Sequence, residues 1–474
     1  MDRSVLTRTV RGLWDNDILP SLSDLVAVPA LSPAFDPKWA ESGQLAAAID
    51  HVRSWVAARD LPGTTIEVVQ LPERTPALLV DIPASEGAED KGTVLLYGHL
   101  DKQPPVADWS AGLGPWTPVV RDGRLYGRGS ADDGYSGYAA TAAIEAVRAA
   151  GGEHARCVVL LETGEESGSP DLPVYLEDLS ERLGQVSLVV CLDSGGNDYE
   201  RMWLTTSLRG LVQVTLTVKV LESGLHSGMA SGIVPSSFRI MRQLLDRLEN
   251  SETGEVLVGE MHVEIPENRL AEVREAVEAA PGALIDSLPL VPGARPVSED
   301  EVELALNSGW RPTLSITGAD GMPAPDDAGN VLRPFTTLVL SFRLPPTADS
   351  AAALEAVRRI LTTDVPYGAQ VELSRVEHAS GWNAPELAPW LRDTLDTAAK
   401  EVFDAPWRTV SLGGSIPFMG LLHEAYPQAQ FLVTGAVGPD SNCHVPDEWL
   451  HLDQAARVTE AVALVLDAHA RQSR

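Results

Sequence analysis

The sequence predicts an α/β protein in which a mainly parallel sheet flanked by helices forms a larger domain, with a smaller α+β domain inserted into it. Three observations lead to this prediction. Short apolar runs alternate with helix-like stretches towards both ends of the chain, while the middle changes to half-exposed strands. The length of 474 residues also exceeds the usual ceiling for one hydrophobic core, which favours two domains.

The larger domain is predicted from continuous apolar runs. They occupy residues 93–97, 157–161, 186–192 and 430–434. A helix-like stretch at about 137–150 separates the first two runs, and a last helix at about 452–470 closes the chain. Continuous apolar strands separated by helices are typical of a parallel sheet that is covered on both faces.

The inserted domain is predicted from a different pattern between residues 207 and 386. Apolar and polar residues alternate over 212–220, as they do in a strand with one exposed face. Predicted elements follow the order strand, helix, strand, strand, helix, strand, at 212–220, 235–248, 313–316, 337–344, 350–361 and 370–376. This order is the split βαβ arrangement. Residues 1–206 and 387–474 then form the larger domain, and 251–310 give no clear prediction.

Composition excludes several classes of protein. The formal net charge is −31, and nothing supplies the basic face that a nucleic-acid-binding protein needs. No apolar run reaches the roughly 20 residues of a membrane-spanning helix, and the N-terminus lacks the apolar stretch of a secretory signal. The three cysteines are few, odd in number and far apart, which favours free thiols. We therefore expect a cytoplasmic protein that binds neither nucleic acid nor membranes.

Residues of metal-ligand type follow each apolar run of the larger domain. They are His99 and Asp101 after the first run, Glu165 and Glu166 after the second, Asp193 after the third and His444 after the fourth. Asp132 and Asp133 lie between the first two runs, directly before a helix. Ligands of open α/β sheets bind beyond the carboxyl ends of the strands, so we expect these side chains to meet.

The donor types of this set predict a metal centre. Imidazole and carboxylate without accompanying thiolates suit zinc, cobalt or manganese. Two histidines with three carboxylates exceed the needs of one tetrahedral zinc, and suit two ions roughly 3.5–4 Å apart that share a bridging carboxylate. Each motif alone is more often a surface pair, a solvated face or a plain turn. The joint pattern is what favours the metal centre.

Four motifs identify the family that this sequence resembles. They are His99-Leu100-Asp101-Lys102-Gln103-Pro104, Gly127-Arg128-Gly129-Ser130-Ala131-Asp132-Asp133-Gly134, Glu165-Glu166-Ser167-Gly168-Ser169 and Gly413-Gly414-Ser415-Ile416-Pro417. Together they resemble the M20 family of metallopeptidases, most nearly its branch of cytosolic non-specific dipeptidase and carnosinase. The resemblance implies a zinc-aminopeptidase-like catalytic domain and a ferredoxin-like lid and dimerisation domain. It also implies hydrolysis of dipeptides or short peptides that have a free C-terminal carboxylate.

The resemblance also implies a role for each ligand-type residue. Two divalent ions, zinc or alternatively manganese or cobalt, would share Asp132. His99 and Asp193 would complete one site, and Glu166 with His444 the other. Glu165 would be the general base, and Asp101 would hold the distal ring nitrogen of His99. The peptide bond between Asp132 and Asp133 would be cis.

Further residues would act on the substrate. In a homodimer, His226 would reach the partner's active site and donate to the oxyanion; a capping or interface histidine is the alternative. Arg343 would grip the substrate carboxylate, with an interface salt bridge as the alternative. Gly414 and Ser415 would contact the same end of the substrate, and Asn330 stands where a substrate-contacting threonine is expected.

The sequence departs from the family pattern in ways that concern substrate preference. Gly134 and Tyr135 follow the second aspartate, where this branch has lysine, and the motif before His444 is looser than usual. Two other functions stay open. One is an N-acyl-amino-acid deacylase or other amide hydrolase with the same ligands. The other is a catalytically silent binding protein, which the complete ligand set disfavours.

Overall fold

The computed structural model describes residues 1–286, 288–413 and 417–472. The α-helices are Arg3–Leu13, Leu19–Val26, Trp39–Ser42, Gln44–Ala57, Ser136–Ala149, Leu172–Asp178, Ser180–Leu183, Ser227–Ala230, Ser237–Leu245, Glu267–Ala279, Glu301–Gly309, Ser350–Thr362, Pro389–Ala398, Pro417–Ala425 and Leu452–Arg471. The strands outside the two main sheets are Val119–Arg121, Arg124–Tyr126, Trp203–Leu208, Leu225–His226, Val331–Leu332, Trp382–Asn383, Arg408–Leu412 and Trp449–His451. Within the described ranges, the structure contains no helix that is both long enough and apolar enough to cross a bilayer.

The larger sheet has six strands and is mainly parallel, as predicted. From one edge to the other they are Thr65–Val69, Ala77–Ile82, Arg156–Glu162, Thr93–His99, Val186–Cys191 and Gln430–Val433. The last four run parallel to one another, and the second strand, Ala77–Ile82, is antiparallel to both of its neighbours. All four predicted apolar runs lie in the parallel part. Its strands therefore end at one common edge.

Helices cover both faces of this sheet, which explains the uninterrupted apolar runs. One face packs against the N-terminal helices, Ser136–Ala149 and Leu452–Arg471. The other packs against Leu172–Asp178 and Pro417–Ala425. Every residue of the Thr93–His99 strand is buried. Because both faces are filled by packing, polar side chains concentrate at the carboxyl edge, where the strands end.

The smaller sheet has the predicted ferredoxin-like connectivity. Its strand order is Thr313–Asp320, Phe335–Leu344, Gly210–Lys219 and Gln370–Ala379, and all neighbours are antiparallel. Helices Ser237–Leu245 and Ser350–Thr362 cover one face and share its core. The first of these helices begins after Pro235, two residues later than the sequence predicts, because Ser236 caps it by accepting from the N–H of Arg239.

Residues 251–310, which give no clear prediction, contain two helices outside the ferredoxin-like pattern. Glu267–Ala279 packs against the other helix, Glu301–Gly309, and against the strand Arg408–Leu412. Arg269 on the first helix donates to the Asn383 side chain at 2.9 Å and to the Ala384 carbonyl at 2.8 Å. This excursion therefore packs on the small three-stranded sheet of Trp382–Asn383, Trp203–Leu208 and Arg408–Leu412, near the predicted boundary at 386. The predicted boundary at 206 lies within the strand Trp203–Leu208.

Candidate metal centre

The carboxyl edge of the parallel strands brings together the residues predicted to be ligands. His99 is the last residue of its strand, and Asp193 lies two residues beyond the strand Val186–Cys191. Glu165 and Glu166 begin a 3-10 turn three residues after the strand Arg156–Glu162. The segments that carry Asp132 and His444 are loops, which the sheet alone does not place.

Two groups of three side chains meet at this edge, and both include Asp132. The first group is His99, Asp132 and Asp193, and the second is Asp132, Glu166 and His444. Within each group the candidate ligand atoms all lie within 4.8 Å of one another. The two oxygens of Asp132 face different histidines, which is the arrangement of a shared carboxylate.

In the first group, His99 Nε2 lies 3.1 Å from Asp132 Oδ1 and 3.9 Å from Asp193 Oδ2. In the second, His444 Nε2 lies 2.8 Å from Asp132 Oδ2 and 3.3 Å from Glu166 Oε2. Each imidazole therefore directs the same ring nitrogen towards carboxylate oxygens. One nitrogen with two or more oxygens is a donor set that fits zinc, cobalt or manganese.

Several buried carboxylates lie close together in this site. Burial raises the pKa of Glu166 to about 8 and that of Asp193 to about 6, and the charge of Asp132 adds to both shifts. Burial also raises the pKa of Glu165 well above its usual range, and the charges of Asp193 and Glu166 add to it. Bringing cations into the site would relieve this repulsion between carboxylates.

The pKa values of both histidines are also raised, which for imidazole favours the charged form. Hydrogen bonding to Asp132 raises the pKa of His444 to about 9. Burial of Asp132 favours its neutral form, but hydrogen bonds from His444 and His99 outweigh burial and hold its pKa below the usual range. The site therefore stabilises Asp132 as a carboxylate between two positively polarised rings. A pair of bound cations would stabilise it in the same way.

Asp101 contacts the distal ring nitrogen of His99 mainly through its backbone carbonyl. The ring nitrogen Nδ1 lies 3.1 Å from the backbone carbonyl of Asp101 and 3.5 Å from its carboxylate Oδ1. That carboxylate instead accepts the backbone N–H groups of Glu165 at 3.2 Å and Glu166 at 3.0 Å. One residue therefore orients the histidine and also fixes the backbone of the glutamate pair.

Gln103 is a contact of the site that sequence reasoning missed. Its side-chain amide donates to Glu166 Oε2 at 2.6 Å. The signal was present, because Gln103 belongs to the motif that starts at His99. Only the structure reveals that its side chain turns back to the second group.

The turn around Asp132 explains one departure from the family pattern. The Asp132–Asp133 peptide bond is cis, as the resemblance implies. A Cβ atom added at Gly134 would lie 2.4 Å from the carbonyl oxygen of Gly129. A lysine at this position would require the backbone to shift, so the local turn accounts for the glycine.

The residues predicted to contact the substrate lie on a separate two-stranded ribbon, on the smaller sheet or outside the described residues. His226 is exposed and pairs with Val331 in a two-stranded ribbon, next to the Asn330 carbonyl, which accepts from Ser227 N–H at 2.9 Å. Arg343 is the penultimate residue of the strand Phe335–Leu344. These residues belong to neither ligand group.

Gly414 and Ser415, the remaining residues predicted to contact the substrate, lie outside the described residues. The described chain resumes at 417, where the helix Pro417–Ala425 begins. The contact of Gly414 and Ser415 with the substrate therefore stays a prediction.

The fold and the two ligand groups define a hydrolase that depends on divalent metal ions. The chain belongs to peptidase family M20/M25/M40, whose family model matches residues 95–468. The protein is therefore an enzyme that hydrolyses peptide bonds, and the predicted family is confirmed.

Relatives extend along almost the whole chain. The cysteinylglycine-S-conjugate dipeptidase of Corynebacterium striatum is 27% identical over 444 residues, which cover 91% of this chain and 90% of the relative. The beta-Ala-His dipeptidase of Mus musculus is 25% identical over 458 residues, which cover 92% and 89%.

Solved structures share the fold. The dipeptidase Dug1p of Saccharomyces cerevisiae superposes with a TM-score of 0.76 at 22% identity, covering 100% of both chains. Human carnosine dipeptidase 1 gives a TM-score of 0.77 at 22% identity, covering 99% of both chains. These similarities establish the two-sheet architecture for this chain.

Proposed function

We propose that this protein hydrolyses dipeptides, and short peptides with a free C-terminal carboxylate, at a centre of two divalent metal ions, with zinc as the first choice. The observation that carries the proposal is Asp132, whose two oxygens face His99 and His444 in two separate ligand groups. The dipeptidase relatives support the choice of substrate class.

The chain would hold one ion with His99, Asp132 and Asp193, and the other with Asp132, Glu166 and His444. Such ions would polarise the scissile carbonyl and lower the pKa of a bound water towards about 7. Asp101 keeps the His99 ring in one orientation, which helps a histidine to act as a ligand.

Glu165 is the proposed general base. Its carboxylate Oε2 lies 3.9 Å from His99 Nε2, beside the first group but outside both ligand sets. It would take a proton from the attacking water and deliver it to the leaving amine, serving as base and then acid. The hydrogen bond from its N–H to Asp101 keeps Glu165 facing the site.

Arg343 is the proposed partner of the substrate carboxylate, because a guanidinium matches a carboxylate in geometry and charge. The buried Arg209 supports its backbone: a guanidinium nitrogen donates to the Arg343 carbonyl at 3.4 Å and to Thr313 Oγ1 at 2.8 Å. Asn330, Gly414 and Ser415 are proposed to contact the same substrate.

A substrate panel on zinc-reconstituted protein tests this assignment. We expect dipeptides to be cleaved and their C-terminal amides to lose about 10–100-fold in kcat/KM, the worth of a hydrogen bond to a charged group. In Arg343→Met the acid and the amide should be cleaved at similar, low rates. A chelator should abolish all activity.

Two results of this panel would count against the proposal. Faster cleavage of N-acetyl or N-succinyl amino acids than of any dipeptide would identify a deacylase instead. Equal rates for acid and amide in the unmodified enzyme would remove Arg343 from the carboxylate-binding role.

A homodimer in which His226 serves the partner's active site is also part of the proposal. His226 is exposed, and it lies close in sequence to Met229 and Ile233, whose relative exposures are 77% and 81%. Leu225 and Val331 beside them are exposed as well, and a group of neighbouring exposed apolar side chains is typical of a protein interface. In a two-fold dimer, each copy would place its His226 at the other's ligand groups, where its N–H would stabilise the oxyanion.

Mixing two inactive variants tests this arrangement. His226→Ala chains combined with Glu165→Gln chains should recover activity, because one site of each heterodimer then has an intact Glu165 and an intact partner histidine. Random exchange at equal amounts should restore roughly a quarter of the wild-type sites. Each variant on its own is the control. Heterodimers that form but are inactive would refute the role of His226 in the partner's active site.

A cytoplasmic location completes the proposal. All three cysteines are free, and Cys157 and Cys191 are buried. Free thiols are typical of proteins in a reducing compartment.

A further inference from the structure

We propose that the buried ion pair between Arg128 and Glu448 is a clamp that sets the position of His444 relative to Asp132. Glu448 is then a positioning residue for the second ligand group, Asp132, Glu166 and His444. The inference rests on the proposed function, because it assigns that group to a metal ion.

Glu448 anchors the segment that ends at Asp132. Its Oε1 accepts the backbone N–H groups of Gly129 at 2.9 Å, Ala131 at 3.3 Å and Asp132 at 3.4 Å. Its Oε2 accepts from Arg128 Nη1 at 2.7 Å. One oxygen of this carboxylate therefore accepts hydrogen bonds from the backbone of the turn, and the other accepts one from the guanidinium.

Arg128 carries the connection back to the loop of His444. Its Nη2 donates to the carbonyl of Val445, the residue after His444, at 3.1 Å. The side chains of Arg128 and Glu448 are each only 1% exposed, so water does not compete for these bonds. In addition, the backbone N–H of Gly127 donates to the Glu448 carbonyl at 2.9 Å. The two loops are thus joined from both directions.

The loop around His444 needs such an anchor. Asp440, Asn442, His444 and Asp447 all have positive φ angles, of 61°, 56°, 66° and 65°. This region is uncommon for residues other than glycine, even for Asp, Asn and His, which enter it most often, and four such residues within eight positions need support from their surroundings. The orientation of His444 therefore depends on contacts outside its own loop, and the clamp supplies such contacts just after it, at Val445 and Glu448.

The first ligand group has a different support. His99 ends a central strand that is hydrogen-bonded to neighbours on both sides, and Asp193 follows the next strand by two residues. The sheet itself places these two side chains. Asp132 is common to both groups, but only the first group keeps two ligands that the sheet places, so loss of the clamp should weaken the second metal site more than the first.

Metal titration of Glu448→Gln tests the clamp without relying on activity. Metal-free protein is titrated with zinc against a chromophoric chelator, and with cobalt while its visible absorption is followed. We expect two equivalents in the wild type. In the variant the first equivalent should bind within about twofold of the wild type, and the second at least about tenfold more weakly, in the range of outer-shell changes at metal sites.

Asp81→Asn is the matched control. It breaks the Asp81–Arg156 ion pair, with bonds of 2.9 and 2.6 Å, which lies away from the carboxyl edge on the same sheet. Its thermal stability should fall while both zinc equivalents keep their affinity. Arg128→Lys retains the charge but loses the fork that reaches Val445, so it should also weaken the second equivalent, and it replaces Glu448→Gln if that variant does not fold.

Binding of both equivalents with wild-type affinity in the folded variants would overturn the clamp. So would an equal loss of both equivalents, which would make the pair a support of the whole fold. A wild-type protein that binds fewer than two equivalents would instead refute the proposed dinuclear function, whatever the variants do.

Discussion

Glu165→Gln is expected to lower kcat by about 10²–10⁴-fold, the range that general acid–base catalysis contributes. Glutamine keeps the size and the hydrogen-bonding shape of the side chain but cannot accept the proton of the attacking water. Glu165 belongs to neither ligand group, so the variant should still bind two zinc ions. Steady-state kinetics and metal content measured on the same sample check both statements.

The neighbouring Glu166→Gln is the control for this prediction. The two residues are adjacent in one turn, but Glu166 Oε2 faces His444 at 3.3 Å within the second group. Its loss should therefore lower zinc content as well as rate. Near-normal turnover by Glu165→Gln with both ions bound would show that another group is the base.

Asp132→Ala is expected to remove both ions, and with them all measurable hydrolysis. Asp132 Oδ1 lies 3.1 Å from His99 Nε2 and Oδ2 lies 2.8 Å from His444 Nε2, so one substitution takes a ligand from each site. Changes at outer-shell partners already cost 10–100-fold in metal affinity, and a lost shared ligand should exceed that at both sites. Zinc content after dialysis and kcat/KM are the measurements.

Single histidine variants provide the comparison. His99→Ala should weaken mainly the first site and His444→Ala mainly the second, each leaving about one zinc per chain. Circular dichroism establishes that all three variants are folded. If Asp132→Ala retained one tightly bound ion, Asp132 would serve a single site, and the shared-carboxylate arrangement would be wrong.

Much of the fold followed from local patterns. The burial of the four parallel strands is visible in their composition, since a strand covered on both faces needs apolar residues throughout. The burial of one face of residues 212–220 is visible in their alternation. The helix Glu267–Ala279 escaped prediction for the converse reason. Only Arg269, Val273 and Ala276 are buried along it, so it has almost no apolar stripe to detect.

Contacts of the site were harder to predict than its ligands. The Asp101 carboxylate lies nearer to the backbone of Glu165 and Glu166 than to the His99 ring, because the turn after the neighbouring strand folds over it. Gln103 and Glu448 follow predicted ligands in sequence, yet nothing in their spacing indicates which backbone or side chain they contact.

By itself, the sequence determined which residue types stand at the ends of the parallel strands, and in what order. Strand burial and strand ends are local properties, so a histidine or carboxylate just after an apolar run is visible in the chain. Only the tertiary structure decided that His99 and His444 face different oxygens of Asp132, and that Glu448 joins the segment of Asp132 to the loop of His444. Asp132 and His444 are 312 positions apart, and the packing of the whole sheet with its loops sets the 2.8 Å between them.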